Sequence, residues 1–483
     1  MVKKKSLTEN FIYSILYQLL VTVLPILTTP FTTRVLGLPA NGIHAFTESI
    51  VTYFIVIGFF GTALHGTRKV AYVSKDHDEL VQTTWDIIWL RLILMILTLA
   101  IYIPLLCFHN QYDYIYRIQA INIIANGLDL SWFFQGIEDF KRVTMRNMFV
   151  KLLYVICLFV FIRSPADLPI YVLLIVGSSL VGNITMWFFL KDYLGKHSMR
   201  PPTSMKLHLM GSIVLFVPQM TSYIYSLLDR SMLGWMTNTD YVTVYDQSQR
   251  LIRAIIAIMQ SVGYVMMAHL ASLKASDEHE QIKRYIYQSL SLTLFFAFPM
   301  MFGLIGVAQD FIPLFLSRAY NSAVPAVRLL SPLVVITSVN SVLGVQLLIS
   351  IGREKEYTIA TTTGAVVSVV LNLFLLPKMN VIGACISSLV AETSVFLISF
   401  FSARDYLSIR KILKDNWLPF ITAASMTFLI YLVHSLNLNV ILRLFLEVVA
   451  AVLFYFVVMK VSKNEILQLV YSKSLGRFSK KNQ

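Results

Sequence analysis

The feature that most constrains this chain is a repetition. From about residue 10 to residue 460, apolar runs of roughly 20 residues alternate with short polar segments. A run of that length is what an α-helix needs to cross the hydrocarbon core of a bilayer. The runs fall at about 10–34, 41–65, 83–108, 112–134, 142–162, 168–190, 208–236, 241–270, 284–308, 322–350, 356–376, 380–403, 416–435 and 438–460. They predict an all-α polytopic membrane protein of about fourteen transmembrane helices. Charged residues are 14% of the chain, well below the roughly 25% of a soluble domain. No polar stretch is long enough for a separate soluble domain.

The net charge of +14 would suggest nucleic acid in a soluble protein, but here the basic residues sit in short loops. With the N-terminus inside, roughly 29 Lys and Arg fall on the inner side, including the Lys3–Lys5 cluster and the basic tail. The outer segments hold Arg34, Arg163, Arg318, Lys378 and Arg443. This asymmetry predicts an even number of spans with both termini cytoplasmic. Nucleic acid is excluded as a partner, and the bilayer takes its place.

The longest inner connection is basic and carries Pro201-Pro202. It predicts an N-lobe over 1–195, a linker over 196–207, a C-lobe over 208–403, and an appended pair of helices with a basic tail over 404–483. A weak internal repeat supports two lobes. Leu24–Gly37 and Val217–Gly234 each combine a Pro in an apolar run, a later Arg and a closing Leu-Gly. Gly136-Ile137-Glu138 and Gly352-Arg353-Glu354 occupy corresponding helix exits. Such parallel repeats are a transporter feature.

Enzyme classes find no support. No Gly-rich nucleotide loop, Walker motif, HExxH or GxSxG is present, and the nine His show no metal-ligand spacing. Cys107, Cys157 and Cys385 lie apart in apolar runs and make no redox pair. No cofactor is expected. No loop is long enough for the catalytic segment of a membrane glycosyltransferase or polymerase.

Charges inside spans are costly, so they mark paired or functional positions. Arg34 and Arg230 come late in outward-going helices, whereas Glu48, Arg250 and Arg253 come early in inward-going ones. All therefore lie in the outer half of the membrane. Arg250 and Arg253, at i,i+3, share a face with Asp246 one turn earlier. Gln219, Tyr223, Ser226 and Arg230 form a polar stripe, as do Ser14, Gln18, Thr22, Thr29 and Thr33. The expected site is a cationic cavity between the lobes, lined by Arg34, Gln219, Tyr223, Arg230, Arg250 and Arg253. Arginine suits a phosphate because its planar fork donates parallel hydrogen bonds. Glu48, Asp129 and Asp246 are candidates for coupling or gating. The competing reading is that these arginines snorkel to headgroups or pair with local carboxylates.

Two motifs carry a resemblance. Asp129–Lys141, DLSWFFQGIEDFK, resembles the D-x-x-W-x-x-x-G-x-E-x-[FY] signature of Wzx-type polysaccharide repeat-unit flippases. PFTTRVLG, from Pro30, resembles their P-x-x-x-R-x-L-G run. Gly61-Thr62 with Arg68–Ala71, and LDRSMLG from Leu228, are similar to two further stretches of that family. The resemblance spans about residues 8–410. It implies the superfamily of multidrug and toxin extruders and oligosaccharidyl-lipid exporters: two six-helix lobes in a V, with two extra helices. It further implies an undecaprenyl-diphosphate-linked oligosaccharide substrate, flipped from the inner to the outer leaflet of a bacterial plasma or inner membrane. The process served would be capsule, exopolysaccharide or O-antigen assembly. Other polysaccharide-assembly membrane proteins are candidate partners. The alternative is a cation-coupled multidrug or small-solute antiporter of the same superfamily, which would want an anionic cavity.

Overall fold

In lipid every backbone polar group must be satisfied internally, and a helix does this within one segment. A computed structural model describes residues 24–108, 110–195, 199–260 and 278–468, without the side chains of 140, 214, 215 and 217–226. The described residues form helices and no strand. The first ten are α1 (24–35), α2 (Gly37–Phe59), α3 (Thr62–Val73), α4 (His77–Leu106), α5 (Asp113–Gly127), α6 (Ser131–Gly136), α7 (Phe140–Phe161), α8 (Leu168–Leu194), α9 (Met205–Met236) and α10 (Thr239–Gln260). There follow α11 (His279–Phe315), α12 (Ala323–Leu330), α13 (Pro332–Asn340), a π-helical segment Ser341–Ile349, α14 (Glu354–Ser402), α15 (Ile409–His434) and α16 (Val440–Val461).

Each of the fourteen expected intervals overlaps a helix. Among the described residues, nine helices are long and apolar enough to cross a membrane by length and composition. The 49-residue α14 covers two of the expected intervals. It bends at Asn380, whose φ of 47° leaves the right-handed region. The faces these helices leave uncovered are apolar. On α16, for example, Ile441, Phe445, Val452 and Phe456 are all exposed, as suits lipid contact.

Two expected spans are not continuous. The helix read over 41–65 stops at Phe60 and Gly61, both with positive φ, and restarts as α3. The helix read over 112–134 opens at 128–130 and restarts as α6. Apolar periodicity runs through both breaks, which is why the sequence reading joined them. Residues 322–350 form three consecutive helical segments rather than one regular α-helix, with Pro332 starting the second.

The repeat in the helix exits holds in a different register. Asp139 N–H donates to the Phe134 carbonyl at 2.8 Å, and Arg353 N–H to the Leu348 carbonyl at 2.8 Å. Both are six-to-one bonds that close a helix through one left-handed residue. That residue is Glu138 in the first case (φ 61°) and Gly352 in the second (φ 80°). The equivalent positions are therefore Glu138 and Gly352, not Gly136 and Gly352.

The chain divides into two compact units, Met1–Thr243 and Val244–Gln483, with the division inside α10. In the first unit α9 packs on α2, α3 and α4. The segment leading into α9 is fastened to α4. Arg200 pairs with Asp78 at 2.6 Å, and Trp89 Nε1 and Gln82 Nε2 donate to the carbonyls of Arg200 and Pro201. Buried Asp86 accepts from the N–H groups of Thr203 and Ser204 at 2.8 and 3.2 Å. In the second unit α15 and α16 pack on α11 through Phe295, Met426, Ile430, Ala451 and Tyr455. The Tyr455 hydroxyl donates to the Phe295 carbonyl at 2.7 Å. The last two helices are thus a built part of that unit.

Candidate functional site

Expected site residues fall in both units. In the first, Arg230 on α9 reaches Glu48 on α2, with Nη1 and Oε2 3.9 Å apart. On either side of Arg230, Asp229 is buried and Ser231 shares a 3.0 Å hydrogen bond with Tyr53. Arg34 is exposed on α1, and its Nη1 donates to the Pro30 carbonyl at 3.2 Å. The side chains of Gln219 and Tyr223 lie outside the described residues, as do Ser14, Gln18 and Thr22.

In the second unit, Asp246, Arg250 and Arg253 occupy consecutive turns of α10. Asp246 is buried and accepts from Arg250 Nε at 2.6 Å. The Arg250 side chain itself is 52% exposed, and Arg253 is also exposed. The flanking side of α10 is anchored: the hydroxyls of Tyr245 and Ser388 on α14 lie 2.6 Å apart, and Gln249 donates to Tyr245 at 2.9 Å. Fixing the buried face in this way holds the arginine face in register.

Asp129 has a different place. Its carboxylate accepts from the Ser131 N–H and hydroxyl at 3.1 and 2.6 Å, so it opens the short helix α6. At the break over 128–130, side chains meet the carbonyls of residues 125, 126, 128 and 129. Asn183 donates to Ala125, Arg91 to Asn126, Trp187 to Leu128 and Trp132 to Asp129. Arg91 also donates to the Thr62 hydroxyl at 2.8 Å and lies over the Phe59 ring, so it bridges both helix breaks. Arg146 joins from α7, donating to Ser131 and Asn183. Trp132 fills the space above Gly66, where a Cβ would come within 2.5 Å of the indole, and Gly136 lies against Val70. The motif of the fourth expected helix and the stretch from Gly61 to Ala71 are therefore two halves of one packed joint.

Sequence reasoning singled out Asp129 but gave no role to Arg91. Its depth is legible only once the helix breaks that need it are known. The sequence reading also passed over Glu447, a carboxylate seven residues into the largely apolar α16, and Asp310, late in α11. In the structure both are buried and contact His434, and Asp310 also pairs with Arg443.

With this geometry in hand, kinship can be assessed. Residues 7–271, just over half the chain, match the family described as "Polysaccharide biosynthesis protein". The chain belongs to that family. A "Putative O-antigen transporter" of Escherichia coli (strain K12) is 23% identical over 404 residues, covering 81% of this chain and 95% of the relative. "Probable flippase AglR" of Haloferax volcanii is 24% identical over 260 residues, or 52% of this chain and 54% of the relative. Among solved structures, the lipid II flippase MurJ in an inward closed conformation aligns with a TM-score of 0.76 at 16% identity. It covers 95% of this chain and 100% of that one. A multidrug-resistance MATE family transporter in its inward-facing conformation aligns with a TM-score of 0.60 at 14% identity, covering 81% and 99%. The fold is thus that of the superfamily the motifs pointed to. This family member is a Wzx-type, multi-pass membrane transporter and not an enzyme.

Proposed function

We propose that this protein flips a polyprenyl-diphosphate-linked oligosaccharide from the cytoplasmic to the outer leaflet of a bacterial plasma or inner membrane. The product would feed capsule, exopolysaccharide or O-antigen assembly, with both termini cytoplasmic. The reading rests on one observation above the rest: the exposed guanidinium groups of Arg250 and Arg253, one turn apart on α10, with the buried Asp246 behind them. Two forked donors at this spacing suit the successive phosphates of a lipid diphosphate. The names of the relatives, an O-antigen transporter and a flippase, support the same substrate class.

The carboxylates divide by role. Glu48 and Asp246 each face an arginine and would exchange that partner when the anion arrives, which makes them gating residues. Asp129 holds the joint between α5 and α6 and supports the site from a distance. Arg34 and Arg230 would extend the cationic path in the first unit, together with Gln219 and Tyr223 on α9.

The test is charge reversal. Arg250→Glu with Arg253→Glu should abolish surface polysaccharide in cells that depend on this protein, while the amount of membrane-inserted protein stays at the wild-type level. Undiminished polysaccharide in that double variant would remove the phosphate role from α10.

A further inference from the structure

We infer a divalent-cation site of the zinc type in the second unit, formed by Asp310 of α11, His434 at the end of α15 and Glu447 of α16. It is independent of the proposed substrate and uses none of its residues. His434 Nδ1 lies 3.2 Å from Glu447 Oε1 and 3.4 Å from Asp310 Oδ2. Ligand atoms from all three residues fall within 4.8 Å of one another. Zinc takes imidazole nitrogen and carboxylate oxygen at about 2.0–2.2 Å, which puts the edges of its tetrahedron near 3.3–3.5 Å. The two measured separations sit at that edge length, so an ion fits with little movement of the side chains.

A second observation points to a cation. Glu447 is fully buried, and its Oε2 has no hydrogen-bond partner. Buried carboxylate oxygens are ordinarily met by a donor or a metal, because an unmet one keeps the cost of leaving water with nothing to offset it. His434 lies against Oε1 and Oε2 is the oxygen left unmet, so an ion chelated by both oxygens of Glu447 would satisfy it.

The surrounding charges account for how an ion would enter. Arg443, one turn before Glu447 on α16, donates from Nε and Nη2 to both oxygens of the buried Asp310 at 2.5 Å. Arg443 stands beside two carboxylates, paired with Asp310 and close to Glu447. A divalent ion balances both carboxylates by itself and releases Arg443, whose side chain already lies at the rim with 19% exposed. A water would complete the tetrahedron. The ion and Arg443 therefore compete for Asp310. Binding would clamp α15 and α16, joined by the short connection 435–439, onto α11.

Cobalt(II) reports the geometry directly, because a tetrahedral N/O site gives it a characteristic visible absorption. The full chain, purified in detergent and stripped with chelator, would be titrated with Co²⁺ and then with Zn²⁺. The expected result is a tetrahedral band that saturates near one Co²⁺ per chain and collapses when Zn²⁺ is added. His434→Gln and Glu447→Gln should lose the band while eluting as monodisperse protein. Arg443→Gln should keep it and saturate at lower Co²⁺, since the competitor is gone. His77→Gln, at an exposed helix start, should behave as wild type. Zn²⁺ should also raise the unfolding temperature of the wild type and leave that of Glu447→Gln unmoved. Monodisperse wild type with no tetrahedral band would overturn the site. So would a band that survives in His434→Gln and Glu447→Gln, or one that Arg443→Gln weakens.

Discussion

In the first unit Arg91 is buried against a hydroxyl and a backbone carbonyl, under the ring of Phe59. In the second, Arg250 and Arg253 stand on the exposed side of α10, with a carboxylate from the same helix behind them. The residue type is the same and the physical task is opposite. Arg91 closes a hole in the backbone hydrogen bonding that two broken helices create. The α10 arginines keep their charge where an anion can reach it. A count of arginines in membrane spans cannot separate these tasks; the state of the backbone beside each one can.

The sharpest way to break this contrast is Arg91→Met. It removes the donor to the Asn126 carbonyl and leaves the buried Thr62 hydroxyl without its arginine, for an expected loss of about 2–3 kcal/mol. Thermal unfolding of the purified protein measures it. Arg253→Gln should leave that unfolding temperature unchanged while lowering surface polysaccharide. If it proves as destabilising as Arg91→Met, the distinction between the two kinds of arginine is wrong. Gly66→Ala probes the joint that Arg91 serves. The added methyl meets the Trp132 indole at 2.5 Å, so a loss of roughly 1–3 kcal/mol is expected. Gly352→Ala tests the matching helix exit in the second unit. There a Cβ would meet nothing within 4 Å, and the left-handed backbone alone should cost about 1 kcal/mol. The smallest effect is expected at Arg117, whose side chain is 56% exposed and pairs with Asp113 one turn away. Arg117→Gln should change stability by less than about 1 kcal/mol, and a larger shift in the same melt would show that exposure is a poor guide to these arginines.

What could be read beforehand divides along the same physical line. The helices were legible because burial in lipid imposes a length and an apolar composition on each span. The family was legible because Asp129, Trp132 and Gly136 form a joint with fixed spacing. The breaks at Phe60–Gly61 and at 128–130 were not, because apolar character runs unbroken through them and only the backbone angles change. Arg91, Asn183 and Trp187 were illegible for the same reason: their partners are carbonyls, which no sequence displays. Glu447 was visible as a charge in an apolar run, yet its partners Asp310 and His434 are more than a hundred residues and 13 residues away in the chain. The repeat in the helix exits misled by two positions, because a glycine was aligned with a glycine where the left-handed turn is made by Glu138.

The segment from Arg200 to Ser204 is pinned to α4 through Asp78, Gln82, Asp86 and Trp89. It is a strap and not a slack tether. A strap transmits force along its length, so a displacement of α9 pulls on α4 within the few residues between the pins and Met205. Lengthening the strap with flexible residues should uncouple the two helices without unfolding either, whereas cutting the Asp86 anchor should loosen the same linkage from the other end.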